Sequence, residues 1–231
     1  MQVGHWNSID DEATVLWREY PFANNAYATT LVFRGVDGLV VVSPARGLEP
    51  GDYDALREHG DVRALIANNG HHHLGQAAWR ERFPDAVSYA PRGTLDVLKK
   101  KVPTIPFCPL DELPLPDHVR CHEPPGFKNG ETMVSIRTSK GTAWFTGDLL
   151  SNIERLPGPP LRWLFTWTDS APGFRLFRLA VWLLVRDKKA VRQWMLERLA
   201  DDPPSIVVPA HGPPFEASDL AELVRAQLER L

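Results

Sequence analysis

The sequence predicts an α/β fold in which two β-sheets are covered by helices on their outer faces. Short apolar runs rich in Val, Ile and Leu, such as residues 39–42 and 205–208, have the length and composition of buried strands. A strand-rich first half is followed by a strand pair, two helices, a strand and a closing helix. Two packed sheets with helices on the outside satisfy this order of elements.

The first half of the chain alternates strand-like runs with turns and short helices. The run 26–34 is rich in Thr, Val, Leu and Phe, and the turn residues 35–38 separate it from the apolar run 39–42. Similar apolar runs and two helix-like runs follow in this half. The pattern predicts strands at 13–18, 26–34, 39–42, 64–67 and 86–89, and helices at 51–58 and 74–82.

The second half begins with an extended crossing segment, because residues 102–130 contain seven prolines and proline disrupts regular elements. After residue 130 the hydrophobic residues again recur with the spacing of strands and helices. The pattern predicts strands at 132–138, 143–146 and 205–208, and helices at 172–186, 190–199 and 217–231. We see no linker-like segment, so the prediction is a single domain over residues 1–231.

The composition excludes several classes of function. Lys and Arg total 26 against 29 Asp and Glu, and no basic stripe is present, so we expect no nucleic-acid partner. With two cysteines, Cys108 and Cys121, a disulfide scaffold is excluded, and a reducing, cytoplasmic location is the expectation. The N-terminus lacks the pattern of a secretory signal. The apolar run 179–185 is too short to span a bilayer, so no membrane span is expected.

Candidate chemical groups lie where predicted strands end. His71, His72 and His73 follow the strand 64–67, Asp148 follows the strand 143–146, and His211 follows the strand 205–208. Loops at strand ends are exposed yet rigidly held, and neutral imidazole is the commonest protein ligand for transition metals. Cys121-His122 closes a further candidate strand. Each feature alone has an ordinary structural explanation, but their order along one chain favours a shared site.

In this order the chain resembles the metallo-β-lactamase superfamily. That family has a His-x-His-x-Asp-His-x-Gly loop after a strand, a mid-chain His, an Asp in a Thr-Gly-Asp strand end and a late His in an Ala-His-Gly context. Thr146-Gly147-Asp148 and Ala210-His211-Gly212 match the later motifs, and His73-Leu74-Gly75 matches the end of the first. The resemblance runs from about Ala26 to His211 and implies a four-layer αββα sandwich with the site at one edge of the sheets.

The first motif is degenerate in this chain. Aligning His73 with the last His of the motif places His72 on its Asp, Gly70 on its second His and Asn68 on its first. The resemblance therefore implies that the family's first metal site is broken. Its second site survives with one change from Asp to His. The implied ligands are His72, His73, Asp148 and His211, which suit one divalent ion, Zn²⁺ first and Fe²⁺ or Mn²⁺ next.

The implied function is a metal-dependent hydrolase with a small-molecule substrate, an ester, thioester, amide or phosphoester. Asp148 would act at the metal, and His122 either carries protons near it or is an ordinary surface histidine. A non-catalytic member of the same fold that binds a ligand or partner is the alternative, because Asn68 and Gly70 cannot replace the missing histidines. An iron-dependent oxygenase or a flavoprotein-partner oxidoreductase is less favoured, because those relatives also use the first site.

The aromatic, Arg-punctuated residues 161–186 have no assigned role in this scheme. Core packing, a lid over the site, a homodimer face through the region from Trp163 to Val185, and docking on a membrane surface all remain open for this segment.

Overall fold

The computed structural model describes residues 5–12, 14–23 and 25–231. The predicted start of the first strand at Ala13 and the N-terminal residues 1–4 lie outside the described residues. None of the described helices combines the length and the hydropathy needed to cross a membrane.

The first sheet has seven strands in sequence order. Strands β1 to β4 are antiparallel, because short turns join them, whereas β4 to β7 are parallel and require crossover connections. The strands are β1 (Asn7–Ser8), β2 (Val15–Ala23), β3 (Ala26–Arg34), β4 (Leu39–Val42), β5 (Val62–Ile66), β6 (Val87–Ala90) and β7 (Phe107–Pro109). The crossovers are α1 (Pro50–Arg57), α2 (Gln76–Arg82) and α3 (Leu95–Lys101).

The second sheet has five strands in the order β14-β13-β10-β9-β8. Strands β9 and β10 form the predicted hairpin, and β13 pairs with β10 in parallel. The strands are β8 (Val119–His122), β9 (Met133–Thr138), β10 (Gly141–Phe145), β13 (Ile206–Val208) and β14 (Phe215–Glu216). Two of the described strands, β7 and β8, therefore lie within the proline-rich segment that was predicted as an extended crossing.

A small two-stranded sheet, formed after β10 and before residue 188, corrects the helix predicted at 172–186. The structure has β11 (Leu150–Ile153), α4 (Leu161–Trp167), β12 (Gly173–Leu176) and α5 (Arg178–Leu184) in this part of the chain. Residues 173–176 pair with β11 instead of extending α5, so strand hydrogen bonds replace helical ones there. Gly173 has φ of 80°, which a helix does not allow. Helix-period counting missed this because Phe174, Leu176 and Phe177 continue the apolar pattern of the run 179–185 across Arg175 and Arg178.

Packing of the two sheets produces the predicted four layers. One apolar core lies between the sheets and includes Phe33 and Val42 from the first sheet and Phe145 and Val208 from the second. Helices α1 and α2 cover the outer face of the first sheet, where Trp79 is fully buried. Helices α6 (Lys188–Asp201) and α7 (Leu220–Leu228) cover the outer face of the second sheet. The αββα sandwich is therefore confirmed.

The parallel strands bring the candidate loops to one edge of the sandwich. Strands β4 and β5 are parallel neighbours in the first sheet, and β10 and β13 are parallel neighbours in the second. The carboxyl ends of such strands lie at the same edge, so the loops that follow them meet there. Ser43, the histidine triplet, Asp148 and His211 follow these four strands in turn.

Candidate metal centre

Three side chains from these loops converge on one point. His72 Nε2 and His211 Nε2 each lie 3.2 Å from Oδ1 of Asp148. Their ligand atoms all lie within 4.8 Å of one another, and no other group of three His, Cys, Asp or Glu residues meets this test within residues 5–12, 14–23 and 25–231. The three belong to three different loops, so the fold itself assembles the group.

The turn after β5 aims His72 into the protein. Its Nδ1 lies 2.7 Å from Oγ of Ser43, at the end of the neighbouring strand β4. Ser43 has φ of 54° and its hydroxyl also lies 3.3 Å from the hydroxyl of Tyr20, which fixes the position of the serine oxygen. With Nδ1 engaged by a hydroxyl, Nε2 is the nitrogen left to face Asp148. Metal-binding histidines show this arrangement, in which the second ring nitrogen is held by a neighbouring oxygen.

His211 is held in the same way by a backbone carbonyl. Its Nδ1 lies 3.3 Å from the carbonyl oxygen of Tyr27, and because a carbonyl only accepts, Nδ1 carries the hydrogen. The loop depends on Gly212, which has φ of 96° and whose Cβ, if present, would lie 1.9 Å from the Asn152 carbonyl oxygen. The neutral form of His211 therefore presents an unprotonated Nε2 to Asp148.

Nε2 of His211 and Oδ1 of Asp148 are both hydrogen-bond acceptors, so a cation or a proton is required between them. Burial alone would raise the pKa of Asp148, but the positive charge of the neighbouring His72 holds it well below its ordinary value. Burial lowers the pKa of His72, and the charge of Asp148 outweighs it, so the pKa of His72 is raised. The raised pKa favours a proton on His72 beside the carboxylate. A divalent cation fits the same place, since two imidazoles and a carboxylate are suitable ligands for zinc.

A second polar cluster lies directly behind the three converging residues. The carboxylate of Glu131 is buried, and it accepts hydrogen bonds from Nδ2 of Asn68 at 3.0 Å and from Nδ2 of Asn69 at 2.8 Å. The backbone N–H groups of Thr132 and Asp148 also donate to it, at 3.0 and 3.4 Å. We call Asn68, Asn69 and Glu131 the amide–carboxylate cluster.

Asn69 joins the amide–carboxylate cluster to the converging residues. Its Nδ2 donates to Oδ2 of Asp148 at 2.8 Å as well as to Glu131, while its Oδ1 accepts the backbone N–H of His71. Burial and the charge of Asp148 raise the pKa of Glu131 to about 8, against the hydrogen bonds from the asparagines. One amide group therefore sets the distance between two buried carboxyl groups.

Sequence reasoning missed Glu131. The residue precedes β9 with no motif around it, and its role depends on a contact between distant parts of the chain. A Cβ at Gly147 would lie 2.5 Å from Oε1 of Glu131, so the glycine of Thr146-Gly147-Asp148 makes room for the carboxylate. That glycine was the one local signal of a close neighbour.

The structure places His73 apart from the converging group. Successive side chains in a helix-like turn diverge by about 100°, so His72 and His73 leave the turn in different directions. His72 points to Asp148, whereas His73 is not part of the converging group. Burial and then the charge of Lys101 lower the pKa of His73, whose surroundings therefore include a cation. Three of the four predicted ligands, His72, Asp148 and His211, therefore meet in the structure, and His73 as a fourth ligand stays a prediction.

The structure also corrects the assignment of His122 near the metal. Its ring packs edge-on against Trp194 of α6, with centroids 5.4 Å apart. It lines a separate recess together with Arg198 and Asp202, because alternate residues of β8 face opposite sides of the sheet and His122 faces the helices. The bland interpretation of this histidine is the one that the structure supports.

A cavity of about 340 Å³ opens onto Asp148 and the two histidines. Its walls are mostly apolar and come largely from α4 and α5. Phe22 and Phe177 each pack edge-on against His211, with centroids 5.1 Å away. His71 and Arg46 supply further polar groups in the lining. The site can therefore admit a small molecule whose apolar part fits against these walls.

Comparison with known proteins finds solved structures that share this fold. No family model and no curated protein matches the chain. Among solved structures, a metallo-β-lactamase from Erythrobacter litoralis, with β-mercaptoethanol in the active site, superimposes with a TM-score of 0.64 at 14% identity, over 100% of this chain and 99% of that one.

Two further solved structures are similar. The metallo-β-lactamase FIM-1 from Pseudomonas aeruginosa, in its mono-zinc form, gives a TM-score of 0.61 at 16% identity, over 99% and 96% of the two chains. A metal-soaked flavodiiron core of Flv1 from Synechocystis gives 0.64 at 13% identity, over 99% of this chain and 61% of that one. The chain therefore has the metallo-β-lactamase fold that its motifs predicted.

Proposed function

We propose that this protein is a metal-dependent hydrolase that uses a single divalent ion, with zinc preferred over iron or manganese. The observation that carries the proposal is the convergence of His72 Nε2 and His211 Nε2 on Asp148 at the cavity, each imidazole being fixed through its Nδ1. A bound ion would supply Lewis-acid activation of water and of the substrate's carbonyl oxygen.

A single ion is proposed because the motif alignment sets Asn68, a member of the amide–carboxylate cluster, and Gly70 at the first two histidines of the family's first metal site. Asn68 stands at the first histidine of the family motif and donates to Glu131, and Gly70 has no side chain at the second. The carbonyl oxygen of Gly70 accepts from Nζ of Lys101 at 2.6 Å, which adds a positive charge next to this position. A second cation would have to displace these hydrogen bonds and would be repelled by the lysine.

Of the substrates considered, the cavity favours a small ester, thioester or amide with an apolar group over a phosphoester. A charged phosphoryl group would lose its hydration against walls of Phe, Leu and Ala, whereas an apolar acyl group gains from burial there. The protein's own groups would orient the reaction. His71 lines the cavity, so we assign proton transfer at an imidazole nitrogen to His71 in place of His122.

The experiment compares ester and thioester substrates of increasing acyl length, using protein loaded with one equivalent of zinc. We expect the specificity constant to rise with acyl length until the cavity is filled, and Asp148→Ala to abolish hydrolysis. His122→Ala is the matched control and should retain activity, because its side chain lies in a different recess. Equal loss of activity in both variants would contradict the proposed site.

The amide–carboxylate cluster also favours one second candidate, a non-catalytic protein of the same fold that binds an apolar ligand. Such a protein would bind the apolar probe in the cavity and would show no hydrolysis at any acyl length with zinc, iron or manganese. We place either form in a reducing, cytoplasmic compartment, since Cys108 and Cys121 are both free thiols.

A further inference from the structure

Exposed tryptophans cover the outer surface of the helices that wall the cavity. We define the α4–α5 face as Trp163 and Trp167 on α4 and Trp182 and Leu183 on α5. The three tryptophans expose 69%, 83% and 72% of their surfaces, although Trp is highly buried on average. Five of the eight large hydrophobic side chains that are exposed in the described part of the chain lie between residues 163 and 183.

The inner faces of these helices are already packed, so their outer faces are not needed for the core. On α4, Phe165 is buried and Leu161 packs beside it, while Trp163 and Trp167 lie one turn apart on the other side. An ordinary surface helix carries polar residues at such outward positions. Trp163 and Trp167 are exposed at such positions and do not contribute to the core, so folding does not explain why they are aromatic.

The same segment is strongly basic within an acidic protein. Residues 155–186 contain five arginines and one acidic residue, whereas the whole chain has a net charge of −3. That acidic residue, Asp169, is already paired with Arg175 at 2.6 Å and also lies near Arg178 and Arg230. The segment therefore presents positive charge together with its exposed aromatic rings.

The α4–α5 face continues into the mouth of the cavity. Leu183 belongs to the face, is half exposed, and also lines the cavity. Leu74, from the turn that carries the histidines, is likewise exposed and lines the same cavity. A partner that covers Leu183 therefore lies beside the cavity.

We propose that the α4–α5 face docks on the surface of an anionic phospholipid bilayer. Tryptophan rings favour the boundary between headgroups and acyl chains, and arginines between them would contact the lipid phosphates. A second copy of this chain is a poorer occupant, because a two-fold interface would place the basic segment against itself. Docking would hold the cavity entrance against lipid, from which an apolar substrate could enter. The proposal does not depend on hydrolysis.

The test is flotation of the full chain with unilamellar vesicles of phosphatidylglycerol and phosphatidylcholine, compared with vesicles of phosphatidylcholine alone. We expect binding to the anionic vesicles that weakens as salt is raised. Trp163→Ala with Trp167→Ala should weaken it about tenfold or more, and Arg162→Glu with Arg178→Glu should do so by at least about fivefold for each arginine that contacts the surface.

Three controls make the result specific to the α4–α5 face. Lys99→Glu with Lys100→Glu introduces the same charge change on α3 and should alter vesicle binding much less. Val36→Ala with Val87→Ala removes exposed apolar groups elsewhere and should leave binding unchanged. Asp148→Asn should bind vesicles like the wild type, so failure of the hydrolase proposal does not affect this one. Circular dichroism and thermal unfolding verify that each variant is folded.

Two results would overturn the proposal. One is failure of the wild type to float with anionic vesicles at any lipid concentration. The other is equal binding by the tryptophan pair variant and the wild type. Sedimentation equilibrium tests directly whether a second copy of this chain covers the α4–α5 face. A dimer that is lost in the tryptophan pair variant, without vesicle binding by the wild type, would assign the face to a second copy of this chain.

Discussion

Two neighbouring polar clusters at the same edge of the sandwich have opposite chemistry. In the converging group, Nε2 of His72 and Nε2 of His211 both face Oδ1 of Asp148, and this buried carboxylate needs a cation or a proton beside it. In the amide–carboxylate cluster, the acceptors of Glu131 already receive donors from Asn68, Asn69 and the backbone. The first cluster is suited to bind an ion, and the second is satisfied without one.

This difference supports the proposal that the chain holds one ion where the family motif provides for two. Replacing ligating imidazoles by an amide and a glycine would leave buried backbone N–H groups and an empty polar space, which are costly. Glu131 fills that space with a carboxylate, and Gly147 leaves it the necessary room. Asn69 donates hydrogen bonds to both Glu131 and Asp148, so these bonds connect the two clusters.

The largest effect on zinc affinity is expected from a change of Asp148, the proposed ligand whose Oδ1 lies 3.2 Å from Nε2 of both His72 and His211. Asp148→Asn keeps the shape of the side chain but removes the charge that offsets a divalent ion, so zinc affinity should fall by at least about 100-fold. Competition with a chromogenic chelator measures this. His122→Ala and His73→Ala are the matched controls and should bind zinc like the wild type. A strong loss of zinc in His73→Ala would restore the four-ligand set.

The next effect is a pH dependence to which the amide–carboxylate cluster contributes through Glu131. Because the pKa of Glu131 is raised from its ordinary 4.5 to about 8, the folded protein holds a proton in this range that the unfolded chain has released. The free energy of unfolding of metal-free protein should therefore fall as the pH rises through this window, by up to about 1.4 kcal/mol per unit. The raised pKa of His72 acts in the same direction above its ordinary 6.5.

Glu131→Gln isolates the contribution of the carboxyl group, since glutamine does not titrate. Urea unfolding between about pH 5 and pH 8 should give a flatter profile for this variant than for the wild type. Glu112→Gln, an exposed glutamate, is the control and should keep the wild-type slope. Identical slopes in the wild type and Glu131→Gln would show that this carboxyl group stays ionised throughout the range.

A smaller effect is expected from the residue that joins the clusters. Asn69→Ala removes the amide that donates to both Asp148 and Glu131, so two buried carboxyl groups lose a shared partner. We expect the free energy of unfolding to fall by about 1–3 kcal/mol. Asn129→Ala at an exposed position should change it by less than about 0.5 kcal/mol. Equal stability of the two variants would mean that the clusters are independent.

The smallest effect is expected behind His72. Ser43→Ala removes the hydroxyl that lies 2.7 Å from Nδ1 of His72 and orients the ring. Zinc affinity should fall by about tenfold, in the range found when such supporting partners are lost. Ser88→Ala removes another buried hydroxyl, which donates to Gln76 in a different part of the first sheet, and should not alter zinc affinity. A change in both would indicate a general loss of stability.

The fold and part of the site could be predicted because they depend on local patterns. Apolar strands such as β4 and β13 stand out by composition, and Asp148 and His211 follow strands within recognisable motifs. Side-chain direction could not be read in the same way. Three adjacent histidines look equivalent in the sequence, and only the turn decides that His72 points inward. Glu131 acts through distant partners, so no local pattern marks it.

The aromatic segment shows a different limit of sequence reasoning. Its apolar residues recur on both sides of Arg175 and Arg178, which hid the boundary between β12 and α5, because strand and helix periods both fit such a short pattern. Whether Trp163 and Trp167 are packed or exposed depends on which side of α4 faces the cavity, and that requires the third dimension.

The central claim is that one cluster binds an ion and its neighbour does not. The most direct measurement is the metal content of the full chain, purified without a metal-affinity column, supplied with excess zinc and then dialysed. Mass spectrometry of the metal should find one equivalent per chain in the wild type and in Glu131→Gln, and none in His72→Ala with His211→Ala. Two tightly held equivalents in the wild type, or zinc retained by the double histidine variant, would contradict the account.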